Sequence, residues 1–500
     1  MEPPHSPQYV WVQPEQVDGR LGTRQFKPWV IERVQRCLSF KSGTIRLGDP
    51  GVCSLLSRGA GGGQEFENAV AVLKAKEITG YGFAKPELFL SDCPAAKLLR
   101  PDDVVLTSSG IGTIGRADLI DDISLTPKSP HTVDNHVTII RLKRGQLRAG
   151  FLAAFLNSAY GKAWSEWGTT GSTRLLELSP SMVRAFAIPR PGIKVQEYIA
   201  DQLRLASRCR AESTTRLVAA NHALGAALGV HVGPESFEVR SAADISADGY
   251  QVASLSPVMS YVASRGVGSQ ISPQFYTPRR AKALLVIERS GTTAVPLRDI
   301  AERYAARIAP EEVDASGIPF VGLEQIDAAT GYIASNGGDS PAGVSARFEA
   351  GDILFSKLRP YLNKVAICPA RLGSVAGSTE LLTYRVTASV DPDYLCLVMR
   401  SHLVLNQVVD VTSGLTHPRV DPALVDDVFI PLAKPTEQKR IGRLYREALS
   451  LKHRAVHLTN KANADVEALI EGTLDVQAIL SGTVKAPTAD DIPELAEDDA

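Results

Sequence analysis

The segment GDILFSKLRPYLNKVAIC, Gly351–Cys368, places Lys357, Arg359, Tyr361, Asn363 and Lys364 directly after an apolar run. Lysine and arginine neutralise phosphates, and Arg, Asn and Tyr hydrogen-bond sugars or base edges, so this mixture suits a loop lying in a DNA groove. The plainer alternative is a solvated turn with Tyr361 packed inward. A second loop, TSGLTHPRVDP (412–422), offers Thr416, His417 and Arg419, and an earlier one, TTGSTRLLELSP (169–180), offers Ser172, Thr173 and Arg174. Short hydroxyl donors beside one arginine serve phosphate or base contact, although hydroxyls also cap the helix that follows a loop. Ser108, Ser109 and Arg116, in PDDVVLTSSGIGTIGRA (101–117), complete the candidate DNA-contacting set.

Other chemistries find less support. Gly110, Gly112 and Gly115 match G-x-G-x-x-G after a strand, but RADLIDDISLTPKSP follows where a dinucleotide site needs a helix to open. His453 and His457 lie four apart on a predicted helix with no third ligand in place, so a solvated face is the stronger reading than a metal site. No G-x-S-x-G, H-E-x-x-H or P-loop motif occurs, and no catalytic constellation is visible. The six cysteines are widely spaced without a C-x-x-C pair, which suggests neither zinc nor a disulfide framework and fits a reducing cytoplasm.

These loops need a scaffold, and the scaffold repeats. LSPSMVRAFAIPRPGIKVQEYIADQL (178–203) corresponds to VDPALVDDVFIPLAKPTEQKRIGRLY (420–445) at an offset of 242, matching Pro180 with Pro422, Ile188 with Ile430 and Gln196 with Gln438. PDDVVLTSSGIGTIGRA corresponds to AGDILFSKLRPYLNKVA (350–366) at an offset of 249, and LGTRQFKPWVIERV (21–34) to ISPQFYTPRRAKAL (271–284) at 250. The chain therefore reads as two copies of one mixed α/β unit, each ending in a long helix.

In the second helix Ile441, Leu444, Ala448, Leu451, Ala455, Leu458, Ala462 and Leu469 alternate three and four apart, with Asp465 breaking the seam. In the first, Ile199, Leu203, Ala206, Leu217, Ala220, Leu224 and Ala227 do the same. Such stripes pair helices along narrow seams, and these two can pair with each other. DVVLTSS, HVTIIRL, GDILFSK, ELLTYRV and IPFVGLEQI read as strands. The expected division is a first globule over 1–190, a helix over 191–230, a connector over 231–270, a second globule over 271–432, a helix over 433–480 and a disordered acidic tail over 481–500.

Composition sets the outer bounds. Five hundred residues exceed the ~250 at which single cores stop growing. With 44% hydrophobic and 22% charged residues, the profile is that of a soluble globular protein. The N-terminus lacks the basic and apolar regions of a secretory signal, and no run is long enough to predict a membrane span. Removing the six acidic residues of 486–500 from a net charge of −1 leaves +5 on the other 485 residues, which permits a nucleic-acid partner without demanding one.

GDILFSKLRPYLNKVAI, STELLTYRV, TSGLTHPRVDPALVDDVFIPL and PTEQKRIGRLYREAL closely resemble the specificity subunits of type I restriction-modification systems. The first copy is similar through PDDVVLTSSGIGTIGRA, GSTRLLELSPSMVRAFAIPRP and VQEYIADQL, although it carries a glycine turn in place of Lys-Leu-Arg-Pro-Tyr. The resemblance implies two target recognition domains, each reading half of a bipartite sequence in double-stranded DNA, with their helices paired antiparallel as a spacer. It also implies no catalysis and no cofactor of its own. S-adenosylmethionine is expected on partner DNA methyltransferase subunits, and a restriction or translocase subunit is a further possible partner. The alternative is a protein-interaction scaffold of a phage-defence complex that has kept this fold without sequence readout.

Overall fold

The same order of elements occurs twice in the computed structural model. It describes residues 26–60, 70–84, 86, 88–90, 93–122, 130–171, 176–232, 246–247, 250–255, 258–262, 273–334 and 343–496. They divide between two units, the first made of residues 1–212 and 454–500 and the second of 213–453.

Unit 1 begins with α1 (Pro28–Leu38), β1 (Thr44–Arg46), β2 (Cys53–Arg58), β3 (Val70–Leu73) and β4 (Leu88–Leu90). It continues through β5 (Asp103–Thr107), β6 (Ala117–Leu119), β7 (His131–Val133), β8 (Val137–Leu142), α2 (Ala149–Asn157) and α3 (Ala159–Gly168). Then come α4 (Pro180–Arg184), β9 (Ala187–Pro189) and the long α5 (Ile193–Leu228), which runs on into unit 2.

Unit 2 adds a small antiparallel meander of β10 (Ser246–Ala247), β11 (Tyr250–Leu255) and β12 (Val258–Val262). After it come α6 (Pro278–Arg289), β13 (Ala294–Pro296), β14 (Ala301–Tyr304), β15 (Arg307–Ile308), α7 (Pro310–Ser316) and β16 (Phe320–Val321). Next are β17 (Ser345–Phe348), β18 (Ile353–Ser356), β19 (Val365–Ile367), β20 (Val375–Gly377), β21 (Leu381–Val386), α8 (Pro392–Arg400) and α9 (His402–Leu405). The unit closes with β22 (Thr412–Ser413), β23 (Arg419–Val420), α10 (Pro422–Asp426), β24 (Phe429–Pro431) and the long α11 (Pro435–Glu471). The C-terminal part of α11 belongs to unit 1, as do α12 (Val476–Ser481) and α13 (Pro493–Ala496).

The main sheets match strand for strand. Unit 1 has the order β2-β8-β5-β6 and unit 2 the order β14-β21-β18-β19, antiparallel throughout, and β1–β9 repeats as β13–β24. β5 and β18 read as continuous apolar runs because both faces are buried. Val104 and Leu106 enter one cluster and Val105 another; Ile353 and Phe355 enter one and Leu354 another. This is the two-residue period of a strand between two cores.

Two polar devices repeat with the sheets. Buried Asp103 takes a bidentate bond from Arg141 (2.7 and 2.7 Å), and buried Asp352 takes one from Arg385 (2.9 and 2.9 Å). Gln196 accepts from the backbone N–H of Arg148 and donates to the Pro191 carbonyl, while Gln438 accepts from that of Asp391 and donates to Ala433. The smaller sheets diverge: both hold a parallel pair, β3–β7 and β16–β20, but β4 lies beside β3 whereas β17 lies beside β20.

Within unit 1, Ile199 and Leu203 of α5 share a core with Ala462, Val466 and Leu469 of α11. Within unit 2, Leu224 of α5 shares a core with Ile441 and Tyr445 of α11, and Ser213 Oγ donates to the Ala448 carbonyl at 2.7 Å. The beginning of each helix thus packs on the end of the other, the order of an antiparallel pair. Leu451 and Leu458 are buried, while Leu217 and Leu444 are half-buried. Tyr445 takes the deeper place beside Leu444 because its hydroxyl is satisfied by the Thr330 carbonyl at 2.9 Å. Asp465, the break in the seam, accepts from Gln202 Nε2 at 2.8 Å and from Lys461 at 2.7 Å.

The connector over 231–270 contains the meander β10–β12. Two other expectations need correction. The helix expected to reach residue 480 ends at Glu471, where Gly472 turns at φ +80°. The tail is not disordered as far as residue 496: Ile492 is buried, Glu494 pairs with Arg454 at 3.1 Å, and Asp491 caps Thr488 at 2.7 Å. One isoleucine inside an acidic stretch supplies the anchor that charge counting overlooks.

Candidate functional site

The loop 357–364 of unit 2 joins β18 to β19, and its backbone makes two unusual turns. Arg359 (φ 47°) and Asn363 (φ 50°) are left-handed and bracket a tight turn over Pro360–Leu362. Each such turn costs a side-chain-bearing residue ~1–2 kcal/mol, so the surroundings must hold it. The Arg359 backbone N–H donates to the Pro418 carbonyl (2.8 Å) and its guanidinium to the Thr416 carbonyl (2.9 Å), while Asn363 Nδ2 donates to the Arg400 carbonyl (3.0 Å). Arg359 therefore clasps the hairpin β22–β23 against the β18–β19 loop.

The two predicted loops do come together. The Lys357 backbone N–H donates to the Glu380 carbonyl, and that of Val420 to the Lys357 carbonyl, both at 3.0 Å. Between them sits the Glu380 carboxylate, 2.7 Å from Arg419 Nη2 and 3.9 Å from Lys357 Nζ. Hydrogen bonds from Arg419 hold that carboxyl below its usual range, and the charges of Lys357 and Arg419 reinforce the effect. Thr416 and His417 are exposed on the hairpin, and Tyr361 is exposed rather than packed inward.

Asn363 and Lys364 do not join this face: Asn363 binds the Arg400 carbonyl and Lys364 Nζ donates to the Ile326 carbonyl, both within the body of the unit. Sequence spacing placed them in the cluster, whereas the chain reverses between Tyr361 and Asn363.

Unit 1 builds the same scaffold with different side chains. The Ser108 backbone N–H donates to the His136 carbonyl and that of Leu178 to the Ser108 carbonyl, both at 2.8 Å, and Ser109 bridges to Glu177 where Leu358 bridges to Arg419. Ser108 is fully buried, its hydroxyl 2.7 Å from that of Thr138, so it is no contact residue. Ser109 Oγ lies 2.6 Å from His136 Nδ1, and Arg116 is exposed with its guanidinium on the Gly112 carbonyl at 2.6 Å. Glu177 pairs with Arg58 at 2.8 Å. Ser172, Thr173 and Arg174 lie outside the described residues. The three glycines turn the hairpin loop at φ 102°, 78° and 86° and lead into β6, so no helix N-terminus faces them. His453 bonds Tyr332 instead, Nδ1 to hydroxyl, at 3.2 Å.

Sequence reasoning missed Glu380, His136 and Glu177, and also a repeated Thr-Gly-Tyr turn. Gly80 (φ +82°) and Gly331 (φ +77°) form it, and a Cβ on Gly331 would come within 2.5 Å of the Tyr445 hydroxyl. Tyr81 donates to Asn460 at 2.9 Å and Tyr332 meets His453, so in each unit the turn is tied to α11. The offset of 251 between the two tripeptides carried that signal.

No protein-family model and no curated protein sequence matches the chain. Among solved structures it is similar to the S subunit of a type I restriction-modification system from M. genitalium, with 11% identity, TM-score 0.44, and coverage of 87% of this chain and 96% of that one. It is also similar to the HsdS subunit from Thermoanaerobacter tengcongensis, with 15% identity, TM-score 0.28, and coverage of 86% and 97%. A third similar chain belongs to a structure concerned with complex assembly and conformational transition of the type I R-M system (14% identity, TM-score 0.28, coverage 86% and 97%).

Proposed function

We propose that the chain is a non-catalytic DNA-recognition subunit that binds a bipartite duplex target and recruits DNA methyltransferase subunits carrying S-adenosylmethionine. The observation that carries this reading is the duplicated scaffold itself. In each unit the loop after the second-last-paired strand of the main sheet and the loop before α4 or α10 are pinned together by the same backbone bonds, yet they present different side chains. Two like heads with unlike loops suit two different half-sites. Lys357, Arg359, His417 and Arg419 supply the cationic and polar groups that duplex DNA requires. The sequence resemblance to type I specificity subunits points the same way.

The paired helices α5 and α11 would then set the gap between half-sites. A heptad inserted into each helix adds about 10 Å, so the preferred gap should lengthen by about three base pairs. Selection of targets from random duplexes, followed by a salt titration, tests the reading. Affinity for the selected duplex should fall steeply between ~50 and ~200 mM salt. Absent or salt-insensitive binding, with methyltransferase subunits still captured, would instead establish the protein-scaffold alternative.

A further inference from the structure

We propose that the loop tips work as apolar wedges that enter the duplex and part a base step, with Leu415 the principal wedge of unit 2 and Ile111, on the loop that corresponds to the β18–β19 loop, the wedge of unit 1. This inference rests on the DNA-recognition reading above. Single exposed apolar residues are ordinary on protein surfaces, so their placement is what matters.

Leu415 is fully exposed, and it sits inside the hairpin that Arg359 clasps. The hairpin is rigid at its base: Thr412 pairs with Val420, Ser413 pairs with Arg419, and Arg419 is fixed to Glu380. Gly414 turns it at φ +94°. The adjoining loop presents Tyr361 and Leu362, 54% and 43% exposed, on the turn bracketed by the two left-handed residues. Unit 1 reaches a comparable result by another route, exposing Ile111 (67%) between two positive-φ glycines of the corresponding loop.

Both units therefore place a large apolar side chain on the loop that projects from the main sheet, and unit 2 adds another on the clasped hairpin. The charges nearby argue for this mode of reading. The fork of Arg419, which would otherwise bind guanine bidentately, is already occupied by Glu380, whereas Leu415 has no role inside the unit. Leucine and isoleucine are residues that unstack base steps in protein-bent DNA, while neighbouring cations hold the backbone.

The test uses the full-length chain and its selected duplex, with 2-aminopurine substituted at one position at a time. Wild type should raise the fluorescence at one step within a half-site. Leu415→Ala should abolish that rise and weaken cognate binding about tenfold without changing the salt slope, and Leu415→Met should retain it. Cognate binding with no fluorescence change at any position, or wild-type affinity in Leu415→Ala, overturns the wedge and leaves DNA recognition standing. Failure of wild type to bind any duplex in a salt-dependent way overturns both. Because Leu415 contributes nothing to the core, loss of folding does not confuse the result.

Discussion

The β5–β6 loop of unit 1 and the β18–β19 loop of unit 2 leave the same place in the same sheet, and they solve one backbone problem in opposite ways. Unit 1 uses Gly110, Gly112 and Gly115, for which positive φ is nearly free, and the loop braces itself through Arg116 and Thr113. Unit 2 uses Arg359 and Asn363, which resist that conformation and are held there by carbonyls of Thr416, Pro418 and Arg400. The strained solution keeps side chains, which make these bonds, where the glycine solution has none. It also adds the bonds of Arg359 to the Thr416 and Pro418 carbonyls to the backbone bonds that join the two loops in both units.

The largest test of the duplication concerns the pair shared by both sheets. Asp103→Ala leaves Arg141 only 15% exposed and without its carboxylate, and should cost ~3–5 kcal/mol of stability. Asp352→Ala leaves Arg385 44% exposed and able to hydrate, so its cost should be ~1–3 kcal/mol. Denaturant unfolding of the two variants checks this; equal losses would show that the two pairs contribute alike despite the different exposure of their arginines.

The loops come next in magnitude. Gly110→Ala should cost ~1–3 kcal/mol, since φ 102° is hostile to a side chain and the added Cβ would meet Thr113 Oγ1 at 2.6 Å. Arg359→Gly should leave stability within ~1 kcal/mol, because relief at φ 47° offsets the lost bond to Thr416, yet it should weaken cognate DNA binding by ~1–3 kcal/mol. A loss of stability with unchanged DNA affinity would reduce Arg359 to a structural clasp.

How much of this was open to sequence reading follows from the range of each interaction. The duplication was legible because buried strands and capping glutamines tolerate little change: DVVLT and ILFS show their apolar runs, and Gln196 and Gln438 align without a gap. The site was legible only by composition. Lysine reaches far enough to bind either phosphate or a carbonyl of its own unit, so nothing local distinguishes Lys357 from Lys364. Ser108 reads as a loop hydroxyl, but it is buried just past β5, with its hydroxyl on that of Thr138 thirty residues away. Glu380 escaped notice because it lies 23 residues from Lys357 and 39 from Arg419, and only the closing of β21 beside β18 brings it between them.

The smallest effect separates the electrostatics of the two faces. In unit 2 Glu380 neutralises cations; His136 occupies the same backbone position in unit 1, where its Nδ1 meets the hydroxyl of Ser109 at 2.6 Å. Because the folded-state carboxyl of Glu380 titrates below its ordinary value of 4.5, its contribution to stability is complete above that value and disappears as pH falls through the lower one. The pair is partly exposed, so solvent screening limits that contribution to below ~1 kcal/mol. Glu380→Gln should therefore lower stability slightly at neutral pH and match wild type in acid, as chemical denaturation at several pH values would show. The same change frees Lys357 and Arg419 for phosphate, so the salt slope of DNA binding should steepen by about 1–2. His136→Gln releases no cation and should leave that slope where it was; equal slopes in all three proteins would mean that Lys357 and Arg419 do not face the duplex.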